Sequence, residues 1–472
     1  MLKKTSLALS LLLAIIAHAA AQQADKPQLP ATEAGERVAA YIKAFNTGDE
    51  AVMRAFMANN ISEASLKRRS IDERIEIYKE MRGNMEKLEL RRVVEATPNA
   101  ITLLFQTGKG EWFEFGFEFE ADAPHKLLGL RIEDREAPSD NKPAGNVPTV
   151  PAKMNEAEFT TTLEKYLGEL VKADEFSGTV LVAKNGKPLF QKAYGLASKE
   201  YNVANRPDTK FNLGSINKIF TQVAIGQLVE QGKLSYDDLM AKYLDDYPNR
   251  DAAAKVTIRQ LLSMSSGIGD FFGDKFDATA KDRFRNLKDF VPMFANEPLL
   301  FEPGTKQQYS NGGYVLLGAI IEKVSGQSYY DYVREHIFKP AGMESTDYYE
   351  ADVPVQNLAS GYTREGSAKG ARRNNIYTRP ARGSSAGGGY STAEDLLRFA
   401  NALQSGKLHK ASFSKAQGGD GDLGIAGGAP GINALLEADA STGYTIIVMS
   451  NYDPPTATSL GKQISQWVSR VK

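Results

Sequence analysis

The clearest pattern of hydrophobic and polar positions lies in residues 112–120, where phenylalanine alternates with glutamate or glycine. Successive side chains of a strand point to opposite faces, so this run predicts a strand whose buried face carries Phe113, Phe115, Phe117 and Phe119. Further strand-like runs flank it at residues 88–95, 100–106 and 126–133. Before these strands, apolar residues recur at helical spacing, at Val38, Tyr41, Ile42 and Phe45. Residues 22–133 therefore predict a small α+β domain, with helices first and an antiparallel sheet after them.

This order of elements, together with the run AYIKAFNTGD at residues 40–49, resembles the NTF2-like (SnoaL-like) cone. The resemblance implies a curved antiparallel sheet preceded by helices. No convergent set of acidic and basic side chains is evident in residues 22–133. We therefore expect an accessory module, with homodimerisation as one role open to it.

A second sheet is predicted from the two ends of residues 154–472. Near the start, the strand-like runs 176–184 and 187–194 meet at an Asn-Gly pair, which is a strong hairpin signal. Near the end, residues 432–438 and 444–450 form another pair. A long and mostly helical stretch separates the two pairs. We expect a mixed α/β domain in which an antiparallel sheet is closed by both ends of the domain, with an inserted helical region.

Two stretches are predicted to lie outside the folded domains. Residues 134–153 carry four prolines among Ser, Asp, Asn and Gly, a composition typical of an extended linker. Residues 1–21 have the features of a secretory signal: two lysines, an apolar core at residues 7–17 and three alanines at 19–21. That core is too short to span a bilayer, and no cysteine follows it for lipid anchoring. We expect a periplasmic or secreted protein without a membrane anchor.

Composition excludes several classes of function. The formal net charge is -1, from 57 Lys+Arg and 58 Asp+Glu, so the chain lacks the basic excess of a nucleic-acid-binding protein. Zero cysteines exclude disulfides, thiolate nucleophiles and cysteine-based metal sites. The 4 histidines are scattered, without the spacing of metal ligands. We expect an enzyme or binding protein that uses no metal and no cofactor.

The first candidate for chemistry is the pair Ser215 and Lys218. Apolar spacing predicts a helix that begins near Ser215 and ends near Gly232. The positive end of a helix favours a developing oxyanion, and a residue three positions on lies on the same face. A lysine desolvated beside a serine can become its general base. A helix-capping serine with an exposed lysine would give the same spacing.

The second candidate is the triplet Tyr309-Ser310-Asn311, on a loop before an apolar helix. A tyrosine there could move the serine's proton, and the Asn311 amide could hold both the lysine and a substrate carbonyl. A turn that only caps the helix would also explain the triplet.

A Ser-x-x-Lys motif followed along the chain by a Tyr-x-Asn motif is the pattern of one family. Residues 154–472 resemble these beta-lactamase-related serine hydrolases, which comprise class C beta-lactamases, family VIII carboxylesterases and D-Ala-D-Ala peptidases. Supporting stretches lie at residues 176–182, 256–262, 265–267 and 386–396. The resemblance implies that Ser215 is the acylated nucleophile and Lys218 its base. It also implies that Tyr309 exchanges protons in both half-reactions and that Asn311 orients the substrate.

The third motif of the family departs from the pattern. Where the family has Lys or His, then a small residue, then Gly, this chain has Ile425-Ala426-Gly427. The N–H groups of Gly428 and Ser215 could still form an oxyanion hole. The side chain that assists proton transfer or binds a substrate carboxylate is missing.

We therefore predict an exported serine hydrolase, favouring an esterase or peptidase that acts on a small ester or peptide. Two alternatives stay open: a beta-lactamase or D-Ala-D-Ala carboxypeptidase, and a catalytically dead binding protein of the cell envelope. A second serine, Ser385, lies in a G-x-S-x-G match, but no strand precedes it, and three glycines follow in place of a helix. We interpret that segment as a structural loop at the edge of the site.

Overall fold

The computed structural model describes residues 27, 29–30, 32–97, 99–120, 123–135, 147–148, 150–151, 153–365, 370–409 and 423–471. The chain forms two compact units, and the boundary between them falls between Asn141 and Lys142. The predicted signal at residues 1–21 lies outside the described residues. In the described part of the chain, no helix is both long and apolar enough to cross a membrane.

The first unit begins with four helices: α1 (Glu33–Thr47), α2 (Glu50–Asn60), α3 (Glu63–Arg68) and α4 (Ile71–Met85). Each starts at a polar residue whose side chain accepts hydrogen bonds from the first-turn backbone: Thr32, Asp49, Ser62 and Ser70. Gly48, at φ 71°, ends α1 in the left-handed region and lets α2 follow at once.

Four antiparallel strands follow in the order β1-β2-β3-β4. They are β1 (Leu88–Thr97), β2 (Ala100–Thr107), β3 (Trp112–Phe119) and β4 (Leu127–Arg135). The predicted alternation is confirmed, because Phe115, Phe117 and Phe119 are buried against the helices while Phe113 is only partly buried. This small α+β unit agrees with the predicted fold class. The resemblance to the NTF2-like cone and the dimerising role stay predictions.

The structure alters the edges of the predicted linker at residues 134–153. Strand β4 continues to Arg135, because Arg135 pairs with Trp112 of β3. At the other end, Val150 is buried in the core of the second unit with Met154. The linker prediction is wrong at these edges, because strand pairing and burial hold the chain there. Residues 136–146 lie outside the described residues.

The second unit is built on a five-stranded antiparallel sheet of order β13-β14-β15-β5-β6. Its strands are β5 (Gly178–Lys184), β6 (Lys187–Tyr194), β13 (Leu423–Ala429), β14 (Ile432–Ala438) and β15 (Tyr444–Ser450). The last strand of the chain pairs with the first of the unit, since Ser450 lies opposite Gly178 and Tyr444 opposite Lys184. The predicted sheet, closed by both ends of the domain, is confirmed.

Both faces of this sheet are covered, and alternate residues of the central strands face opposite sides. Val180 and Val448 join the core formed with α5 (Glu156–Lys172) and α15 (Thr456–Val468). Leu181 and Ile447 join the core of the inserted helical region. The buried strands are therefore apolar on both faces.

The inserted region holds the two helices that carry candidate residues, α6 (Lys218–Glu230) and α11 (Asn311–Ser325). The other helices of the insert are α7 (Arg250–Lys255), α8 (Ile258–Leu262), α9 (Asp274–Ala278), α10 (Leu287–Phe290), α12 (Tyr329–Val333), α13 (Lys339–Ala341) and α14 (Ala393–Gln404). Short strands complete it: β7 (Leu196–Ser198), β8 (Val203–Ala204), β9 (Phe211–Asn212), β10 (Tyr362–Thr363), β11 (Arg373–Asn374) and β12 (Tyr390–Ser391). Helix α6 packs against α11, and β13 runs beside the turn that precedes α6.

Candidate active site

Ser215 lies in a single 3-10 turn, Gly214–Asn217, that leads directly into α6. It is half-buried, so its hydroxyl remains accessible from the surface. The turn can approach β13 closely because Gly214 has φ 51° and no side chain; a Cβ there would lie 2.9 Å from the Gly428 nitrogen. Ser215 therefore lies between the N-terminus of α6 and the edge strand β13. The first N–H groups of a helix have no partner within it, and the helix dipole is positive at that end.

Lys218 is 2% exposed, and its side-chain nitrogen has three polar partners. Its Nζ lies 2.6 Å from the Ala386 carbonyl oxygen, 2.7 Å from Asn311 Oδ1 and 3.2 Å from Ser215 Oγ. Burial lowers the pKa of Lys218 to about 7, while the charge of Asp270 opposes that shift. A large share of this lysine is thus neutral near neutral pH.

These distances suit a neutral amine that accepts a proton. A neutral amine has two N–H bonds, and the Ala386 and Asn311 oxygens, which are only acceptors, take both. In that neutral form the remaining lone pair faces Ser215 Oγ and can accept the proton of its hydroxyl; in the charged form Lys218 donates to Ser215 Oγ instead. The geometry equips Lys218 as a general base for Ser215.

Tyr309 completes the hydrogen-bonded chain from the other side, with its hydroxyl 2.5 Å from Ser215 Oγ. The residue is 52% exposed, but its hydroxyl end points inward and its ring lies 4.7 Å from Lys218 Nζ. Burial of that end raises the pKa of Tyr309 above its usual value, with a further rise from the charge of Asp270. A protonated tyrosine can donate to Ser215 Oγ while Ser215 donates to Lys218.

Asn311 begins α11, and an acid that the sequence did not single out holds it in place. Asp270 Oδ2 accepts the Asn311 side-chain N–H at 2.8 Å and its backbone N–H at 3.1 Å. The amide oxygen of Asn311 is left to face Lys218. The only signal in the sequence for Asp270 was its position three residues beyond the supporting stretch at residues 265–267.

On the other side of Ser215, Gly427 of β13 packs directly against the turn. A Cβ at Gly427 would lie 2.0 Å from the Leu213 oxygen and 2.7 Å from the Ser215 nitrogen, so only glycine fits. The Gly427 carbonyl accepts a hydrogen bond from Asn433 Nδ2 of β14 at 3.0 Å. The next residue of β13 also lies beside the turn, because a Cβ at Gly214 would lie 2.9 Å from the Gly428 nitrogen. The predicted arrangement, an oxyanion hole formed by the Ser215 and Gly428 N–H groups, stays a prediction.

The close contact at Gly427 gives a direct test of that arrangement. We expect Gly427→Ala to lower kcat/KM by about 100-fold or more, the usual cost of a lost oxyanion donor, because β13 and the Ser215 turn must separate. Gly424→Ala on the same strand is the matched control, since a Cβ there meets nothing within 4 Å. Steady-state hydrolysis by both variants, with thermal melts to confirm folding, measures the effect; equal activity in the two variants would contradict it.

Ile425 lies on the same face of β13 as Gly427 and packs partly against the core of the helical region. The family pattern has a cation at this position. The side chain that stands here is aliphatic and cannot bind a carboxylate.

Ser385 does not have the geometry of a nucleophile. It is fully buried, and its hydroxyl donates to the Tyr314 carbonyl at 2.8 Å. Its own carbonyl accepts from Thr221 at 2.7 Å, and the next carbonyl, of Ala386, accepts from Lys218. This glycine-rich loop supports the back of the site. Elsewhere in the described chain, no three His, Asp or Glu side chains cluster closely enough to hold a metal ion.

Comparisons with known proteins agree with this geometry. A family profile described as Beta-lactamase matches residues 163–464, more than half of the chain. Penicillin-binding protein 4* of Bacillus subtilis (strain 168) is 37% identical over 215 residues, which cover 44% of this chain and 46% of that protein. Protein flp of Staphylococcus aureus (strain MW2) is 33% identical over 205 residues, covering 42% of this chain and 40% of that protein. The chain thus spans less than half the length of each of these relatives.

Among solved structures, a penicillin binding protein from Bacillus halodurans superposes with a TM-score of 0.58 at 29% identity. The superposition covers 64% of this chain and 98% of that one. The likeness therefore extends over nearly all of the other structure.

Proposed function

The chain belongs to the beta-lactamase family and is a serine hydrolase, and on that premise we propose that it hydrolyses uncharged esters through an acyl-enzyme formed on Ser215. The observation that carries the proposal is the continuous hydrogen-bonded chain from Tyr309 through Ser215 to Lys218. All three groups lie within reach for proton transfer, and the half-buried serine is open to a substrate. These features argue against a catalytically dead binding protein.

In the acylation step, Ser215 Oγ attacks the ester carbonyl and its proton passes to Lys218 Nζ. The negative charge that develops on the carbonyl oxygen is held by the Ser215 and Gly428 N–H groups. As the C–O bond breaks, the leaving alkoxide takes the proton of Tyr309, which Lys218 restores to the tyrosine. Asn311 keeps the lysine aligned throughout.

In the deacylation step, a water molecule attacks the acyl carbonyl in the position that the alcohol has left. The water's proton passes through Tyr309 to Lys218, and Lys218 gives it to Ser215 Oγ as the acid departs. The same groups therefore act in reverse order, as microscopic reversibility requires.

The proposed preference for uncharged substrates rests on Ile425 and on exposed apolar side chains of the loops that bear Asp270 and Tyr309. Phe272, Leu300 and Tyr309 are each exposed by half or more. Phe272 lies on the same loop as Asp270, and its N–H donates to Asp270 Oδ1. Leu300 lies on a neighbouring loop, which is joined to the first because the Leu300 N–H donates to the Gly267 carbonyl. We propose that these side chains border the site, where apolar surface suits an aliphatic or aromatic acyl group. The test compares p-nitrophenyl butyrate with a p-nitrophenyl ester whose acyl chain ends in a carboxylate; faster hydrolysis of the charged ester would refute the preference.

A second candidate function, which the sequence left open, is a D-Ala-D-Ala carboxypeptidase (a D-peptidase), and the 37% identical relative is named a penicillin-binding protein. Substrates of that class carry a carboxylate, which a cation at position 425 would bind. We expect Ile425→His to raise the rate of labelling by a fluorescent penicillin about tenfold at pH 6, where the imidazole is charged. Ile425→Gln is the control for polarity without charge. Strong labelling of the wild type, with no gain in Ile425→His, would favour the D-peptidase.

The site of action is also part of the proposal. The two lysines, short apolar core and alanine run at residues 1–21 support export with removal of that segment. The hydrolase would then meet its substrates outside the cytoplasm.

A further inference from the structure

We infer that Asp270 is a positioning residue of the active site: it selects which end of the Asn311 amide faces Lys218 and places a negative charge beside that base. The inference rests on the proposed function, because it concerns the same site. Asp270 touches neither Ser215 nor the reacting atoms and acts through its neighbours.

The orientation of the amide follows from the chemistry of the contacts. Asp270 Oδ2 accepts from both Asn311 Nδ2 at 2.8 Å and Asn311 N at 3.1 Å. Its other oxygen, Oδ1, accepts from the Phe272 N–H at 3.0 Å, so the carboxylate is fixed at both ends. An ionised carboxylate can only accept, and it therefore binds the NH2 end of the amide.

The consequence is felt at Lys218. With its NH2 end held by Asp270, Asn311 presents Oδ1 to Lys218 Nζ at 2.7 Å. A flipped amide would instead set N–H donors against the N–H donors of the lysine. The lone pair of Lys218 would then turn away from Ser215 and towards the amide. Asp270 thus keeps the proton-accepting lone pair of the base on the nucleophile.

The negative charge of Asp270 has a second effect: it stabilises the protonated form of Lys218. Among the residues that the structure describes, the titratable groups around Lys218 are Tyr309 and Tyr314, whose rings lie 4.7 Å and 5.4 Å from Nζ, together with Asp270 beyond Asn311. Asp270 is thus the negative group near Lys218 when the lysine takes up the serine proton. It favours the protonated lysine and the protonated tyrosine alike.

A purely structural role is the competing explanation, because the loop packs closely on the start of α11. The Ser310 hydroxyl donates to the Gly269 carbonyl at 2.9 Å, and a Cβ at Gly312 would lie 2.3 Å from that same oxygen. These contacts hold the loop without Asp270. A structural role predicts a loss of stability and a uniform loss of activity at every pH.

The experiment measures the pH dependence of two reactions of the full chain: phosphonylation of Ser215 by a fluorophosphonate, which releases fluoride, and hydrolysis of p-nitrophenyl butyrate, followed as kcat/KM. Asp270→Asn keeps an acceptor oxygen and removes the charge. We expect the acid limb, set by Lys218, and the basic limb, set by Tyr309, both to move to lower pH, by about one unit. Asp274→Asn is the matched control, since Asp274 is an exposed acid four residues away. The acid and basic limbs of its pH–rate profile should fall at the same pH as those of the wild type.

Asp270→Glu supplies a second variant in case Asp270→Asn does not fold. It keeps the charge but displaces the carboxylate, so we expect kcat to fall about tenfold with KM unchanged and both limbs in place. The inference would be overturned if the pH–rate profile of Asp270→Asn had its limbs at the same pH as that of Asp274→Asn. A rise in KM alone in Asp270→Glu would also overturn it. A wild type that takes no fluorophosphonate label at all would overturn the proposed function and this inference with it, which is a separate outcome.

Discussion

Replacing Ser215 with alanine is expected to lower the turnover of p-nitrophenyl butyrate by about 10,000-fold or more, to the level left by binding and the oxyanion hole. Alanine removes the oxygen that forms the acyl-enzyme and leaves the rest of the site in place. The Ser215 side chain is half-buried and, within the described part of the chain, is hydrogen-bonded only to Tyr309 and Lys218, so the fold should tolerate its loss. Initial rates of purified wild type and variant, with mass spectrometry after fluorophosphonate treatment, measure the effect.

Ser385→Ala is the control that separates the two serines. Ser385 lies in the G-x-S-x-G match, but its buried hydroxyl is committed to the Tyr314 carbonyl. We expect this variant to lose about 1 kcal/mol of unfolding free energy, the usual worth of such a bond, and to keep its fluorophosphonate adduct. Turnover that survives in Ser215→Ala and disappears in Ser385→Ala would reverse the assignment of the nucleophile.

The sequence predicted the parts of the fold that local patterns encode. Alternating phenylalanines located β3, and the Asn-Gly pair at residues 185–186 located the turn between β5 and β6. Closure of the sheet could also be predicted, because strand-like runs stood at both ends of one domain. The edges of the linker could not, since Arg135 and Val150 are held by strand pairing and burial against residues far along the chain.

At the site, the sequence could nominate groups with recognisable chemistry but not the groups that hold them. Ser215, Lys218, Tyr309 and Asn311 stand in spaced motifs, and the structure brings them within hydrogen-bonding distance of one another. Asp270 and the Ala386 carbonyl act through tertiary contacts with residues 41 and 168 positions away. Their roles depend on distances that no local pattern carries.

Replacing Lys218 with methionine is expected to lower kcat/KM by about 1,000-fold, the usual contribution of a positioned general base. Methionine fills the buried space of the lysine stem but cannot accept the serine proton. In the wild type, kcat/KM should rise as pH passes about 7, because Lys218 loses its proton there. That acid limb should be absent from the variant, and pH–rate profiles of the two proteins measure it.

Lys218→Arg distinguishes a base from a mere positive charge. Arginine keeps its proton throughout the accessible pH range, so it should be as inactive as methionine if Lys218 accepts the proton. Retained activity in Lys218→Arg would show that only the charge matters.

The pH dependence of stability tests independently whether Lys218 is neutral in the folded protein. Burial lowers its pKa from 10.5 to about 7, so the folded protein binds fewer protons than the unfolded chain between those values. Wild-type stability should therefore fall as pH drops through that window, with the full penalty present below about pH 7. Lys218→Met removes the penalty, and its melting temperature should exceed that of the wild type at pH 6 by more than it does at pH 10. A constant difference would mean that the lysine is not held neutral, and the base would then have to be sought in Tyr309.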